Sequence, residues 1–223
     1  MRKFGVIIFD LDSTLVKLEG LDWLAGQTGK GNRLRPLTIK SMNGELDFHQ
    51  AMVVKMRAIS PSYSDLVKLG KKYCDSVVKD AREVIDVLHH LGKQVWLLTG
   101  NFQPAVGILG KFLGIPDKRI ICNKIIFDKN GNYIGFDDES PLAYNGGKAV
   151  MIKRLIRKHR GERIVLAGDG LTDLEAKHAV DLFIGYGGVI ERNNVRSNSD
   201  FYIDSESMFP LLDLVLTKTE KKF

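Results

Sequence analysis

The strongest constraint on the fold is the stretch from Phe4 to Leu15, FGVIIFDLDSTL, where a run of apolar residues ends in two carboxylates, Asp10 and Asp12, two positions apart. An apolar run of this kind reads as a strand buried on both faces, as in a parallel sheet covered by helices. In an open α/β sheet, ligands sit beyond the carboxyl ends of the strands, so Asp10 is placed at a mouth rather than in a core. That position suits a nucleophile. Two close carboxylates with no lysine or arginine between them repel one another, and Mg²⁺, a hard cation preferring oxygen, would compensate them and keep Asp10 ionised. The same residues equally suit a turn in which Asp12 caps a helix, because Asp, Ser and Thr are turn and cap formers. Partners further along the chain have to decide between the two readings.

From Leu15 to about Val78 no second buried strand is visible, and apolar residues recur at helical spacing: Leu21, Leu24 and Ala25; Phe48, Met52 and Met56; Leu66, Leu69 and Tyr73. This predicts a helical insert over residues 17–78, within a core made of residues 1–16 and 79–223. Pro36 and the Ser60-Pro61-Ser62 turn are expected to divide the insert, with Ser62 or Ser64 as an N-cap. The methionines read as helix packing.

A helix from Asp80 ends at Gly92, and His89 and His90 in its last turn read as structural. The strand Gln94 to Thr99 follows. Thr99-Gly100-Asn101 then lies before a helix with Pro104 near its first turn, which suits an anion site of N–H groups and a hydroxyl but is also an ordinary βα turn. Ile125–Phe127 and Tyr133–Phe136 flank an Asn-Gly turn and predict a side β-hairpin. Gly146-Gly147-Lys148 opens a helix running to about His159. Lysine at a helix N-terminus opposes the helix dipole, so a bound anion or a neighbouring carboxylate is expected beside Lys148.

Arg163 to Asp169 is a second apolar strand ending in a carboxylate, and Gly170, Thr172 and Asp173 come directly after it. Leu182 to Gly185 reads as a last strand. Beyond it come a polar segment holding Arg192, the triplet Phe201-Tyr202-Ile203, and a terminal helix with a basic, frayed tail. Gly187-Gly188 lacks GxGxxG spacing and carries no dinucleotide role.

At 223 residues and 44% hydrophobic composition, the chain can form one large α/β domain with or without a smaller insert. Its net charge of +6 is spread along the sequence, which suits an anionic small molecule. Basic residues do not interleave with aromatics, so nucleic acid is not an expected partner. Cys74 and Cys122 lack CxxC spacing and support neither a disulfide framework nor a zinc site. No segment approaches the roughly 20 apolar residues of a membrane helix, and no signal peptide is visible. The expectation is a cytoplasmic monomer or homodimer without membrane association.

In order and type, D-x-D-S-T, then Thr-Gly, then Lys, then G-D-G-x-T-D resemble the haloacid dehalogenase-like phosphatases over essentially the whole chain. Within that superfamily, Glu19-Gly20, Ser60-Pro61-Ser62, Gly146-Gly147-Lys148, Gly168 to Ala176 and Phe183 to Gly188 resemble the phosphoserine phosphatase family. The resemblance implies an α/β fold, a Rossmann-like parallel sheet flanked by helices with an inserted helical cap. It implies Asp10 as nucleophile and Asp12 as acid and base. Mg²⁺ would be held by Asp10, by Asp12 through its backbone carbonyl and by Asp169, with Asp173 in support. Thr99, Gly100, Asn101, Lys148 and Thr172 would surround the phosphoryl group. Glu19 would face a substrate ammonium, and Met42 and Phe48 would wall the pocket.

Three positions depart from the family pattern. Lys55 stands where an arginine is expected to hold the substrate carboxylate, and Arg57 lies about 200° further round a helix and cannot share that pocket. Thr99 replaces a serine and Asn101 a glycine. The implied reaction is hydrolysis of O-phospho-L-serine, a small-molecule phosphomonoester, at the end of serine biosynthesis. A related phosphomonoesterase, a phosphotransferase acting on an alcohol such as homoserine, and a phosphoamino-acid binding protein without turnover remain open alternatives.

Overall fold

A computed structural model describes residues 3–42, 44–158 and 161–222. Among the described residues there are eight strands and ten α-helices, in the order β1 (Phe4–Phe9), α1 (Gly20–Gln27), α2 (Gly31–Met42), α3 (Phe48–Ile59), α4 (Tyr63–Asp75), α5 (Ala81–His90), β2 (Gln94–Phe102), α6 (Ala105–Phe112), β3 (Ile120–Asn123), β4 (Ile125–Phe127), β5 (Tyr133–Phe136), α7 (Gly147–Lys158), β6 (Arg163–Gly168), α8 (Leu171–Ala176), β7 (Leu182–Tyr186), α9 (Asn193–Asn198), β8 (Phe201–Ile203) and α10 (Pro210–Val215). The expected end of α7 near His159 lies outside the described residues.

Six strands form a parallel sheet in the order β3-β2-β1-β6-β7-β8. Its side chains alternate between two apolar layers. Ile7, Phe9, Val95, Leu97, Val165 and Ala167 pack with α5, α6 and α10 on one face. Val6, Ile8, Ile164, Leu166 and Phe183 pack with α7, α8 and α9 on the other. Burial on both faces explains why β1 and β6 are continuous apolar runs. Because β1 lies between β2 and β6, the chain leaves it in one direction and later returns on the other side, and a crevice opens between the carboxyl ends of β1 and β6.

The helices α1 to α4 are inserted after β1 through a narrow neck, where Lys17 N donates to Ser76 O at 2.7 Å and Val78 N to Leu15 O at 2.9 Å. α4 lies against α6 of the core. A Cβ at Gly70 would come within 2.7 Å of Ile108 Cδ1, so this crossing requires a residue without a side chain. Ser62 caps α4 in a reciprocal box with Asp65, its hydroxyl accepting from Asp65 N at 3.2 Å. β4 and β5 form the expected antiparallel hairpin, with Gly131 at φ +81° in the turn. Among the described residues no helix is long and apolar enough to cross a membrane, and Cys74 and Cys122 are both free.

Four expectations are corrected. Pro36 does not divide the insert but sits inside α2. Its missing N–H forfeits the backbone bond to the Asn32 carbonyl, and the helix continues past it to Met42. The strand ending in Thr99 runs on to Phe102, because its pairing with β3 slips between Leu98 and Phe102 and then resumes at Asn123. Phe201–Ile203 is a sixth parallel strand paired with β7, too short to stand out in the sequence. The tail is tied down rather than frayed: Glu220 accepts from buried Lys93 at 3.0 Å and from Lys3 at 3.1 Å.

Candidate active site

Asp10 follows the last residue of β1 and is 8% exposed, its N–H donating to Ala167 O of β6 at 2.9 Å. The chain then turns sharply. Leu11 O accepts from the N–H groups of Thr14, Leu15 and Val16, and Ser13 adopts φ +54°. The turn carries Asp12 back toward α1, where its Oδ2 accepts from Gly20 N at 2.8 Å. One oxygen of Asp12 therefore satisfies a helix terminus, as the capping reading had it. The other, Oδ1, is buried without a hydrogen bond of ordinary geometry.

β6 ends next to it with Asp169, whose Oδ1 accepts from Thr14 Oγ1 and whose Oδ2 accepts from Arg192 Nε, both at 3.0 Å. Asp173, in the first turn of α8, folds back beneath Gly168. A Cβ at that glycine would fall 2.2 Å from Asp173 Cγ, so the tight approach depends on it. Lys148, in the first turn of α7, reaches Asp10 Oδ1 at 2.6 Å and Asp173 Oδ1 at 2.7 Å. These are the carboxylates that its unfavourable helix position calls for.

Burial and crowding of like charge dominate the electrostatics. Desolvation pushes Asp12, Asp169 and Asp173 each up to about 7, and Glu19 up to about 8, with neighbouring carboxylates adding to the rise in each case. Burial alone would lower Lys148, but Asp10 and Asp173 hold its ammonium well above the usual lysine range. Around this floor the five carboxylates of Asp10, Asp12, Glu19, Asp169 and Asp173 face two cations, Lys148 and Arg192. The site is short of positive charge. Oxygens of Asp10, Asp169 and Asp173 all lie within 4.8 Å of one another, a hard oxygen donor set that fits a divalent cation. The Asp12 side chain stands outside that group.

Each residue that the resemblance assigns to catalysis, metal or substrate lines the same cleft. Above the floor, Phe48 covers Gly100 so closely that a Cβ there would meet its ring at 3.1 Å. Met42 and Thr172 line the same space. Lys55 is 5% exposed and faces the cleft, whereas Arg57 is exposed on the far side of α3, as helical spacing requires. The Lys55 ammonium is already engaged, by Asp22 Oδ1 at 2.7 Å and by the Thr38 hydroxyl, which in turn donates to Asp22 at 2.6 Å. Glu19 accepts from Ser13 Oγ at 2.8 Å and from Arg192 at 3.4 Å. Asn101 turns its amide to Thr99 Oγ1 at 3.3 Å.

Sequence reasoning assigned no task to Arg192, Asp22 or Thr38. Arg192 lies in an irregular segment after β7 and meets Asp169 only through the return of the chain. Asp22 and Thr38 sit in helical stretches where their apolar neighbours carry the periodic signal.

A family model for the haloacid dehalogenase-like hydrolases matches residues 7–177. Phosphoserine phosphatase from Bos taurus is 35% identical over 197 residues, covering 88% of each chain. Phosphoserine phosphatase from Drosophila melanogaster is 34% identical over 205 residues, covering 91% of this chain and 76% of the fly protein. Among solved structures, a phosphoserine phosphohydrolase-like protein from Francisella tularensis superposes with a TM-score of 0.84 at 22% identity, over 97% of this chain and all of the other, and so shares the fold. The match runs from the first strand through the helix that carries Asp173, and relatives at this identity span nearly the whole chain, so the protein belongs to the haloacid dehalogenase-like hydrolases and, within them, to the phosphoserine phosphatase family.

Proposed function

We propose that the chain hydrolyses O-phospho-L-serine to serine and phosphate through a phosphoryl group carried transiently on Asp10. The observation that carries this reading is the single ammonium of Lys148, joined at 2.6 Å to Asp10 and at 2.7 Å to Asp173 on the floor of a cleft at the strand ends. Lys148 holds the nucleophile in place and offers positive charge to the group it attacks.

Asp10 attacks phosphorus, forming an acyl phosphate while the bond to the serine oxygen breaks. Asp12 gives its proton to that departing oxygen. Water then attacks the phosphoryl group on Asp10 and passes a proton back to Asp12, restoring both carboxyl groups. Throughout, Thr99 Oγ, the Gly100 N–H and Lys148 act on the equatorial phosphoryl oxygens, where electrostatic positioning contributes most of the catalysis. Asp10, Asp169, Asp173 and the Asp12 backbone carbonyl would hold Mg²⁺, which supplies charge neutralisation at the phosphoryl oxygens. Arg192 and Thr14 fix the Asp169 carboxylate from the other side.

In this reading the helices α1 to α4 act as a cap over the reacting group, with Met42 and Phe48 excluding water. Glu19 and Lys55 face the amino acid part of the substrate. Because Lys55 is held by Asp22 and lacks the two-pronged geometry of arginine, it grips a carboxylate with one leg at most.

Phosphate release from phosphoserine, phosphothreonine, phosphoethanolamine and an aryl phosphate, each with Mg²⁺ and with a chelator, tests the assignment. The expected result is chelator-sensitive release that favours phosphoserine. Release that ignores the chelator, or no release from any ester, would sink it.

A further inference from the structure

Resting on the phosphatase reading above, we propose that Tyr73 is the positioning residue for the proton carrier Asp12, its hydroxyl donating to Oδ1 of that carboxylate. Tyr73 lies on α4, where the sequence indicates only helix packing beside Leu66 and Leu69, and it is 0% exposed. Its hydroxyl nonetheless reaches the floor of the cleft. A Cβ placed on Gly20 would fall 1.9 Å from Tyr73 Oη and 3.0 Å from Asn101 Oδ1, and the N–H of the same Gly20 donates to Asp12 Oδ2 at 2.8 Å. The side chains of Tyr73 and Asn101 thus stand beside the Gly20 whose N–H holds Asp12. Asp12 Oδ1 and Tyr73 Oη are buried, and each lacks a partner of ordinary hydrogen-bond geometry among the described residues. Buried polar atoms are rarely left unpaired, and a bond between these two satisfies both.

The chemistry gives that bond a task. As the ester P–O bond breaks, Asp12 hands its proton to the departing oxygen and is left as a carboxylate. A phenol, protonated at any working pH, donates to Oδ1 while Gly20 holds Oδ2, so the carboxyl group is fixed in orientation and the charge left on it is stabilised. Tyr73 does not touch the substrate and acts only through Asp12. Its contribution therefore matters where the leaving oxygen needs a proton. The alkoxide of serine does, whereas p-nitrophenolate departs readily as the anion.

Tyr73→Phe in the full chain with Mg²⁺ is compared with the unaltered enzyme by kcat/KM, which reports the steps through departure of the alcohol. The expected loss is about 10-fold for phosphoserine and less than about 2-fold for p-nitrophenyl phosphate, at a matching melting temperature. In an Asp12→Asn background the same substitution should cost nothing further on phosphoserine. Gly20→Ala, which displaces the hydroxyl instead of deleting it, should reproduce the split and serves if Tyr73→Phe folds poorly. Equal losses on both esters, or none on either, would overturn the role of Tyr73 and leave the phosphatase reading intact. An unaltered chain that releases phosphate from neither ester ends both.

Discussion

At the floor of the cleft, Lys148 joins two buried carboxylates at 2.6 and 2.7 Å, while at its roof Lys55 meets Asp22 at 2.7 Å and the remaining walls are largely apolar side chains such as Met42 and Phe48. Both lysines are buried and paired, but to different ends. The floor is assembled from the ends of two adjacent strands and the first turns of two helices, elements whose register the sheet fixes. The roof is assembled from helices that rest on the core mainly through α4 and a narrow neck. In the proposed reaction, the reacting group is therefore held by elements anchored in the sheet and the rest of the substrate by helices joined to them through a narrow neck and α4. Substitutions in the floor should thus change the rate of chemistry, and substitutions in the roof should change binding.

Asp10→Asn bears hardest on this comparison. It keeps the shape of the side chain but removes the nucleophile, and activity should fall about 10³-fold or more with circular dichroism unchanged. Retention of more than a few per cent would place the covalent step elsewhere. Lys148→Ala should cost on the order of 10²-fold in kcat, with a smaller change in KM, by analogy with the loss of single donors in other oxyanion sites. A pure KM effect in steady-state assays would erase the distinction between floor and roof.

Lys55→Arg probes the other side. A planar fork can satisfy Asp22 and still present a second leg to a carboxylate, so KM for phosphoserine should drop by about 5- to 10-fold with kcat nearly constant. Phosphoethanolamine, which has no carboxylate, should show no such gain. The smallest effect is on stability rather than catalysis. Gly70→Ala drives a methyl group toward Ile108, where the Cβ would lie 2.7 Å from Cδ1, and should destabilise by about 1–3 kcal/mol in denaturant melts. If the loss appears as a separate early transition, α1 to α4 unfold apart from the sheet, and the contrast between the inserted roof and the sheet-anchored floor is sharpened.

The legibility of the two regions follows the same division. β1 and β6 are buried on both faces, so their apolar runs and terminal carboxylates could be read directly. In the insert, helical periodicity revealed that helices exist but not which polar residue faces inward. Asp22 and Thr38 come together with Lys55 only because α1, α2 and α3 cross. Tyr73 was misleading for a related reason: an aromatic residue at a core position satisfies the apolar pattern whether or not its hydroxyl has a chemical task.

The sequence by itself determined the parallel sheet, the side hairpin and the carboxylates that end two of the strands, because those features depend on local period and turn chemistry. Only the tertiary structure decided that Arg192 clamps Asp169, that Lys55 is taken by Asp22, that β2 slips and runs on to Phe102, and that Tyr73 reaches Gly20 beside Asp12. Each of these depends on side chains or strand ends brought together across the chain, and a charge or hydroxyl carries no mark of its partner until folding removes the water between them.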